Sequence, residues 1–273
     1  MNLKARHNLN FTIGKQFVNF GGYEYYVNSI RVREFSEFNN LLTAYQAGIS
    51  GNWQVSPDHE LCFQIVNNRN GNDEDIYPTG LPEGTAKAKI PFMYTVNWNS
   101  YYLDKTLQLR YATAVGQQTR KRYSYYFTCG NTYEKGPLLT YLDVMYTRQG
   151  IDQHGVVSRL PGTPHTAMNT EYLSIIGDVD YRVHPQWNVY VKGAYETARV
   201  YKGNGDFRKG MYRRSWNAQS SVEFFPFKQL DLFVFVLYTY RGVILEKAAT
   251  RMGAIEPDTH RISLGLVYSI PVF

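Results

Sequence analysis

From Tyr212 to Phe224 the chain alternates with a period of two. Tyr212, Arg214, Trp216, Ala218, Ser220, Val222 and Phe224 form one set, and Arg213, Ser215, Asn217, Gln219, Ser221 and Glu223 the other. The first face is aromatic and small-apolar and the second wholly polar. A helix, with about 3.6 residues per turn, does not sort side chains this way, so the segment is a β-strand. The same sorting recurs over Ile90–Trp98, Leu107–Val115, Leu173–Tyr181, Trp187–Tyr195 and Ile262–Ile270. Twelve such strands begin near residues 8, 44, 60, 89, 106, 123, 138, 171, 186, 211, 230 and 260. Two are less regular: Leu232–Tyr240 is apolar on both faces, and Tyr123–Cys129 is nearly all aromatic or polar.

The connections alternate too. Short turns fall at Ser56–His59, Ser100–Lys105, Glu134–Gly136, His184-Pro185 and Lys228-Gln229. Between them lie longer loops at Gly21–Thr43, Arg69–Ala88, Gln117–Arg122, Gly150–Thr170, Tyr201–Gly210 and Val243–Thr259. Short turns on one rim and long loops on the other describe an antiparallel up-and-down transmembrane β-barrel. No helix-period segment or linker interrupts it, so residues 1–273 form a single domain.

A soluble β-sandwich would also alternate, with its apolar face inward. Three features favour the inverted arrangement. The strands match the ~9–11 tilted residues needed to cross a bilayer core. Aromatic residues gather near strand ends on the apolar face, at Trp53, Trp98, Tyr111, Trp187, Tyr195, Tyr212 and Tyr268, as interfacial girdles require. The opposite face is rich enough in Asn, Gln, Ser, Asp and Arg to line a water-filled lumen.

Composition narrows the reading further. The chain holds 24 Tyr, 15 Phe, 4 Trp and only 2 Cys, with 29 Lys+Arg against 23 Asp+Glu. No run approaches ~18 uninterrupted apolar residues, which excludes a helical membrane protein. Cys62 and Cys129 make no disulfide framework, and no Cys/His cluster has metal-ligand spacing, so neither metal nor cofactor is expected. Met1–His7 lacks the apolar core of a signal peptide, so either a leader has been removed or the sequence starts partway through a longer chain.

Charge placement tests the barrel reading, because a Lys or Arg facing lipid at the midplane costs about 2–4 kcal/mol. Arg110 and Lys192, in mid-strand, both have lumen parity. Lys15, Arg148, Arg199 and Arg214 have lipid-side parity, but each stands at the long-loop end of its strand. There they meet the outer headgroups, where lipopolysaccharide phosphates can pair with them. The tract Thr119–Arg122 fits the same rim better than it fits nucleic acid. The chain closes on Tyr268–Phe273, an aromatic terminus of the kind outer-membrane barrels carry. Phe273 is out of phase with Ile262–Ile270, which calls for a kink at Pro271.

The segment from Leu9 to Phe63 carries Thr12-Ile13-Gly14-Lys15-Gln16, then Gly21-Gly22, then Asn39-Asn40. It resembles the phosphate-selective porin O/P family of the bacterial outer membrane. The resemblance implies a sixteen-stranded, trimeric barrel that passes small hydrophilic solutes, with a basic lumen and an inward-folded loop favouring anions. It aligns residues 1–20 with the family's fifth strand, so the chain either lacks four N-terminal strands or closes as a smaller twelve-stranded barrel. It also sets residues 21–43 at the constriction loop.

That loop carries Tyr23, Tyr25, Tyr26, Arg31 and Arg33, aromatic bulk to pack against a wall and two guanidiniums on one side. Guanidinium takes phosphate or carboxylate in a bidentate fork, which suits an anion filter. The plain alternative is a solvated surface loop. Arg110, Lys192, Arg213 and Arg261 extend a basic path along the lumen wall, opposed by Asp143, Asp178, Asp180, Glu196 and Glu223 of the same parity. The expectation is therefore a non-enzymatic porin with a modest anion preference. Its partners are outer-membrane lipid and lipopolysaccharide, small anions and two further copies in a homotrimer, with no nucleic acid. Two other classes compete. One is an assembly or secretion accessory that uses the barrel as a scaffold. The other is a lipid hydrolase, for which His260 with Ser263 is the nearest pair and a poor one.

Overall fold

In the lipid-crossing reading the backbone has no water to bond with, so every strand must be paired by its neighbours. The computed structural model meets that demand, at all but its two edge strands, with one antiparallel sheet. It describes residues 2–6, 8–26, 36, 45–67, 76–86, 88–89, 91–160, 165–227 and 232–268. A short first strand, β1 (Asn2–Arg6), is followed by β2 (Leu9–Phe17) and a single helical turn, α1 (Tyr23–Tyr26). Next come β3 (Tyr45–Ser56), β4 (His59–Asn67), β5 (Phe92–Tyr102), β6 (Leu107–Thr119) and β7 (Arg122–Lys135). The second half holds β8 (Leu138–Ile151), β9 (Met168–His184), β10 (Trp187–Val200), β11 (Gly210–Phe224) and β12 (Leu232–Leu245). A second helical turn, α2 (Lys247–Thr250), precedes β13 (Thr259–Tyr268). Spatial order equals sequence order throughout, an up-and-down meander. Among the described residues β13 does not pair with β1, so the barrel-like sheet stays open there.

All twelve expected strands are present. The thirteenth, β1, is a five-residue piece that hairpins onto β2, too short for its period to be read. One expected connection differs. Gln117–Arg122 is no long loop: β6 runs to Thr119 and β7 starts at Arg122, so Arg120 and Lys121 form a tight turn behind a bulge at Gln117/Thr119. The polar composition that suggested a loop belongs to two strand ends standing clear of the hydrocarbon.

The sheet is inside out relative to a soluble one. Trp216, Val191 and Phe92 are 52%, 51% and 39% exposed, whereas Gln219, Asn97 and Ser50 on the opposite face are 1%, 1% and 2% exposed. A membrane barrel requires this polarity, and a dry-centred sandwich would show its reverse. No helix among the described residues is long and apolar enough to cross a membrane, so any crossing is made by strands.

The inner face is not uniformly hydrophilic. Met93, Met145, Ile176 and Val200 lie there fully buried, in one cluster with Val18, Phe20 and Val157 from the long loops. Chain folded in from the long-loop side covers these positions, which is why apolar side chains interrupt an otherwise polar wall.

The depth dependence of this arrangement can be measured. Val191→Arg, on the outward face in mid-strand, is expected to lower unfolding stability in lipid vesicles by about 2–4 kcal/mol. Val183→Arg, outward beside the short turn after β9, is expected to cost about 0–1 kcal/mol. Equal losses in denaturant titrations would contradict the assigned membrane-facing surface.

Candidate pore constriction

After β2 the chain turns inward. Val18 and Phe20 are fully buried, and Gly21 and Gly22 lead into α1, which lies on the inner wall at β7 and β8. A helical turn begins with N–H groups that have no partner within it. Asp143 of β8 supplies the partners: its Oδ1 accepts from the N–H of Tyr23 at 3.0 Å and its Oδ2 from that of Glu24 at 2.8 Å.

Two glycines make the approach possible. Gly130 of β7 is the cross-strand partner of Asp143. A Cβ on Gly130 would stand 2.7 Å from Asp143 Oδ1 and 2.8 Å from Gly22 Cα. A Cβ on Gly22 would meet Asp143 Cγ at 2.4 Å. Both positions are closed to any side chain while the loop stays docked.

Glu24 extends the anchorage to β10. Its carboxylate lies 3.2 Å from Lys192 Nζ, with both side chains almost completely buried, and it also accepts the N–H of Ser36. Aromatic contacts complete the dock. Tyr23 packs on Tyr141 at 4.8 Å between centroids, Tyr25 and Tyr26 on Phe17 at 5.0 and 5.4 Å, and Phe20 edge-on against Tyr126 at 5.8 Å. The Arg110 guanidinium sits over the Tyr26 ring at 4.0 Å and donates from Nε to Asn99 Oδ1 at 3.0 Å. Asn19 donates to Cys62 Sγ at 2.8 Å and, through its backbone N–H, to Gln64 Oε1 at 2.7 Å, so Cys62 serves the dock rather than standing apart.

Of the expected constriction residues, Tyr23, Tyr25 and Tyr26 thus lie together on the inner wall, while Arg31 and Arg33 lie outside the described residues. The four bases of the expected lumen path are dispersed. Lys192 is joined to Glu24. Arg110 shares a lateral row of cross-strand partners with Gly130 and Asp143, and the same row continues through Ile176, Ala194 and Asn217 to Arg241. Arg213 and Arg241 share one carboxylate, Glu256, at 3.5 and 3.1 Å. Arg261 stands exposed on β13.

Sequence reasoning missed Arg241, although its parity matches the buried Leu237 and Thr239; the two-sided apolarity of β12 hid the inner face. It also missed Asp152, fully buried in the loop after β8. Asp152 Oδ2 accepts from Val157 N, Ser158 N and Ser158 Oγ at 3.0, 2.7 and 2.6 Å, and its Oδ1 from the Tyr172 hydroxyl. Burial pushes the Asp152 carboxyl above the usual carboxylate range, while bonds from Ser158 and Tyr172 pull it back. This knot folds a second long loop inward, and Gln153 carries it onto the Tyr126 hydroxyl, beside Phe20.

At the rim the expected lipid-side bases are mostly paired. Arg148 and Arg199 flank Glu171 in register on either side, at 3.7 and 3.2 Å, and Arg214 Nε donates to Glu246 at 2.7 Å. Lys15 is exposed. His260 bonds the Tyr238 hydroxyl at 2.8 Å and faces Tyr240.

An inside-out antiparallel meander with a chain segment pinned to its inner wall is the construction of a porin. The family model for phosphate-selective porin O and P matches residues 2–270. The chain belongs to that family. It is therefore an outer-membrane porin of bacteria. Solved structures share the fold at low identity. A loop-deletion mutant of OmpT, an outer membrane protein of Vibrio cholerae, superposes with a TM-score of 0.57 at 12% identity, covering 96% of this chain and 76% of that one. The outer membrane channel DcaP of Acinetobacter baumannii gives 0.58 at 10% identity, over 96% and 72%. The trimer form of in-vitro folded OmpT gives 0.52 at 12%, over 95% and 75%. No curated protein sequence matches this porin.

Two outcomes follow from the dock. Gly130→Val is expected to push Gly22 off Asp143, raise single-channel conductance in planar bilayers and lower the unfolding midpoint, since the buried contacts of α1 are lost with the dock. Glu24→Gln removes the carboxylate nearest the buried Lys192 and is expected to cost less than the ~3–5 kcal/mol of a wholly unpaired charge, because Asp178 is the cross-strand neighbour of Lys192. Adding Lys192→Met should recover most of it in unfolding titrations; additive losses would show that the pair is not coupled.

Proposed function

We propose that this porin passes small hydrophilic solutes by passive diffusion through a lumen narrowed by residues 21–43, with a modest preference for anions. The observation that carries this reading is the docking of α1. It covers one acid of the wall, Asp143, and ties one wall base, Lys192, to Glu24, so the charge left facing the lumen is close to balanced. Asp143 is held by two N–H donors, Glu24 neutralises Lys192, and Glu196 accepts from Ser174 Oγ at 2.8 Å. Arg110 stacks on the Tyr26 ring and bonds Asn99, with the Asp143 carboxylate in the same cross-strand row, and Arg213 and Arg241 both reach Glu256. The surplus is small, so the preference is modest. Asp178 and Asp180 oppose it, and strong phosphate selectivity is not proposed.

Tyr23, Tyr25 and Tyr26 form the described part of the constriction, with Arg31 and Arg33 completing it. Arg110, Lys192, Arg213 and Arg261 mark the wall. At the outer rim Lys15 faces the lipopolysaccharide phosphates, and Arg148, Arg199 and Arg214 meet them only with charge already shared with Glu171 and Glu246. Three copies assemble as a homotrimer, a reading supported by the trimeric form among the structural neighbours. The channel acts without enzymatic chemistry.

Reversal potential under a KCl gradient tests the electrostatics. The wild-type zero-current voltage is expected on the anion side, and Arg110→Glu with Arg241→Glu is expected to carry it across zero. A cation-selective wild type would overturn the proposal.

A further inference from the structure

The loop after β8 is built around a single carboxylate. Its described part, residues 152–160 and 165–167, is tied across its two ends. The Asp152 N–H donates to Ala167 O at 2.9 Å, and the Ala167 N–H donates to Ser158 Oγ at 2.9 Å. Ser158 Oγ donates onward to Asp152 Oδ2, which also accepts the N–H groups of Val157 and Ser158, while Oδ1 accepts from Tyr172 of β9. Four donors therefore converge on one fully buried acceptor, and an ionised acceptor makes each such bond stronger than a neutral one would. The knot is also fixed to the wall. Gln118 of β6 accepts the Ile151 N–H at 2.9 Å and donates to the Ile151 carbonyl at 2.7 Å.

From this loop two routes run to the constriction segment. Gln153 accepts the Tyr126 hydroxyl, and the Tyr126 ring meets Phe20 edge-on. Phe20 then packs edge-on against Tyr25 at 6.4 Å between centroids. By the second route, Val157 lies in one buried cluster with Val18, Phe20 and Tyr126, and Tyr23 and Tyr25 pack against that cluster. The bonds to Asp143 and Lys192 fix the backbone of α1 and Glu24. Phe20 and Tyr25 gain a further support from Tyr126 and Val157, and both of these answer to the knot.

We infer that Asp152 is a positioning residue of the constriction: through Gln153, Tyr126 and Val157 it holds Phe20 and Tyr25, and so sets the bore that residues 21–43 leave open. The inference rests on the proposed constriction. The Asp152 carboxylate is turned to donors of its own loop and β9, so it acts on the shape of the path and not as a charge beside the solute.

Single-channel conductance of the full chain in planar bilayers tests this. Asp152→Ala leaves four buried donors without their acceptor and is expected to raise conductance and open-channel noise. Asp152→Asn can keep its oxygen on Val157 and Ser158 and turn its amide to the Tyr172 oxygen, and is expected to keep the wild-type value. Tyr126→Phe removes only a hydroxyl; it is expected to give a smaller rise, and it carries the test if the alanine variant fails to insert. Asp258, which accepts from Val243 N–H and the Tyr240 hydroxyl in another loop, is the control: Asp258→Ala is expected to leave conductance unchanged. The deciding measurement is a cycle with Gly130→Val. Once the dock is lost, Asp152→Ala should add no further rise. Factors that multiply would show the loop acting apart from the dock and overturn the inference. Unchanged conductance in Asp152→Ala and Tyr126→Phe, or equal rises in Asp152→Ala and Asp152→Asn, would overturn it too, with the constriction left standing. Unchanged conductance in Gly130→Val alone would remove the constriction itself and the inference with it.

Discussion

Hydrocarbon offers no hydrogen-bond partner to a peptide group, and an unpaired one there costs several kcal/mol. Most of this structure follows from that. The chain must run as strands paired on both sides, and a meander with neighbours in sequence order is the simplest way to do so. The outward face must be apolar and the inward face is free to be polar. Long connections can exist only where water or protein receives their backbone. Here one rim has tight turns and the other has loops that fold inward, and each infolded segment must then satisfy its own amides against the wall. Asp143 does this for Tyr23 and Glu24, and Asp152 for Val157 and Ser158.

Buried ion pairs add little net stability, because desolvation offsets much of the attraction. The pair of Glu24 and Lys192 is therefore better understood as a register device. A loop held only by aromatic contacts could slide along the wall, since ring packing tolerates displacement. A carboxylate that must meet one ammonium, and a helical turn whose first N–H groups must meet one aspartate, fix the position in two directions. Gly130 and Gly22 then set the depth, because no side chain fits between strand and loop at that point.

Much of the sheet was legible in the sequence. The face assigned to each strand from parity, strand length and aromatic placement agrees with exposure at Trp216, Val191 and Phe92 outside and at Asn97, Lys192 and Gln219 inside, whereas Tyr212, expected in the outward girdle, is fully buried at the bulge opposite Ala198/Arg199. Parity is a local property, fixed by the pleat, and it survives without knowledge of the partner strand. Tyr23, Tyr25 and Tyr26 stood out as bulk able to pack on a wall from residue type, not from parity, and their rings do meet Tyr141 and Phe17. What packs on what was not. Tyr23 and Asp143 are 120 residues apart, and nothing in either segment names the other. The Gln117–Arg122 turn was misjudged because polar residues at strand ends beyond the bilayer resemble loop residues. β1 was too short for a period, Arg241 was hidden by the apolarity of β12, and the kink expected at Pro271 to re-aim Phe273 lies outside the described residues.

The placement of ion pairs separates two jobs that a basic outer-membrane protein must do at once. A cation on the lipid-facing surface near the interface is partly desolvated, so Arg148, Arg199 and Arg214 each have a carboxylate from a neighbouring strand or loop. Paired in this way they hold strand ends together and carry little field outward. Bases that are to act on something outside the chain must be left without such partners. Arg110, held by a ring and an amide and in no close ion pair among the described residues, comes nearest to that second kind. Pairing, rather than position in the sequence, thus separates the bases that brace strand ends from one that faces the interior.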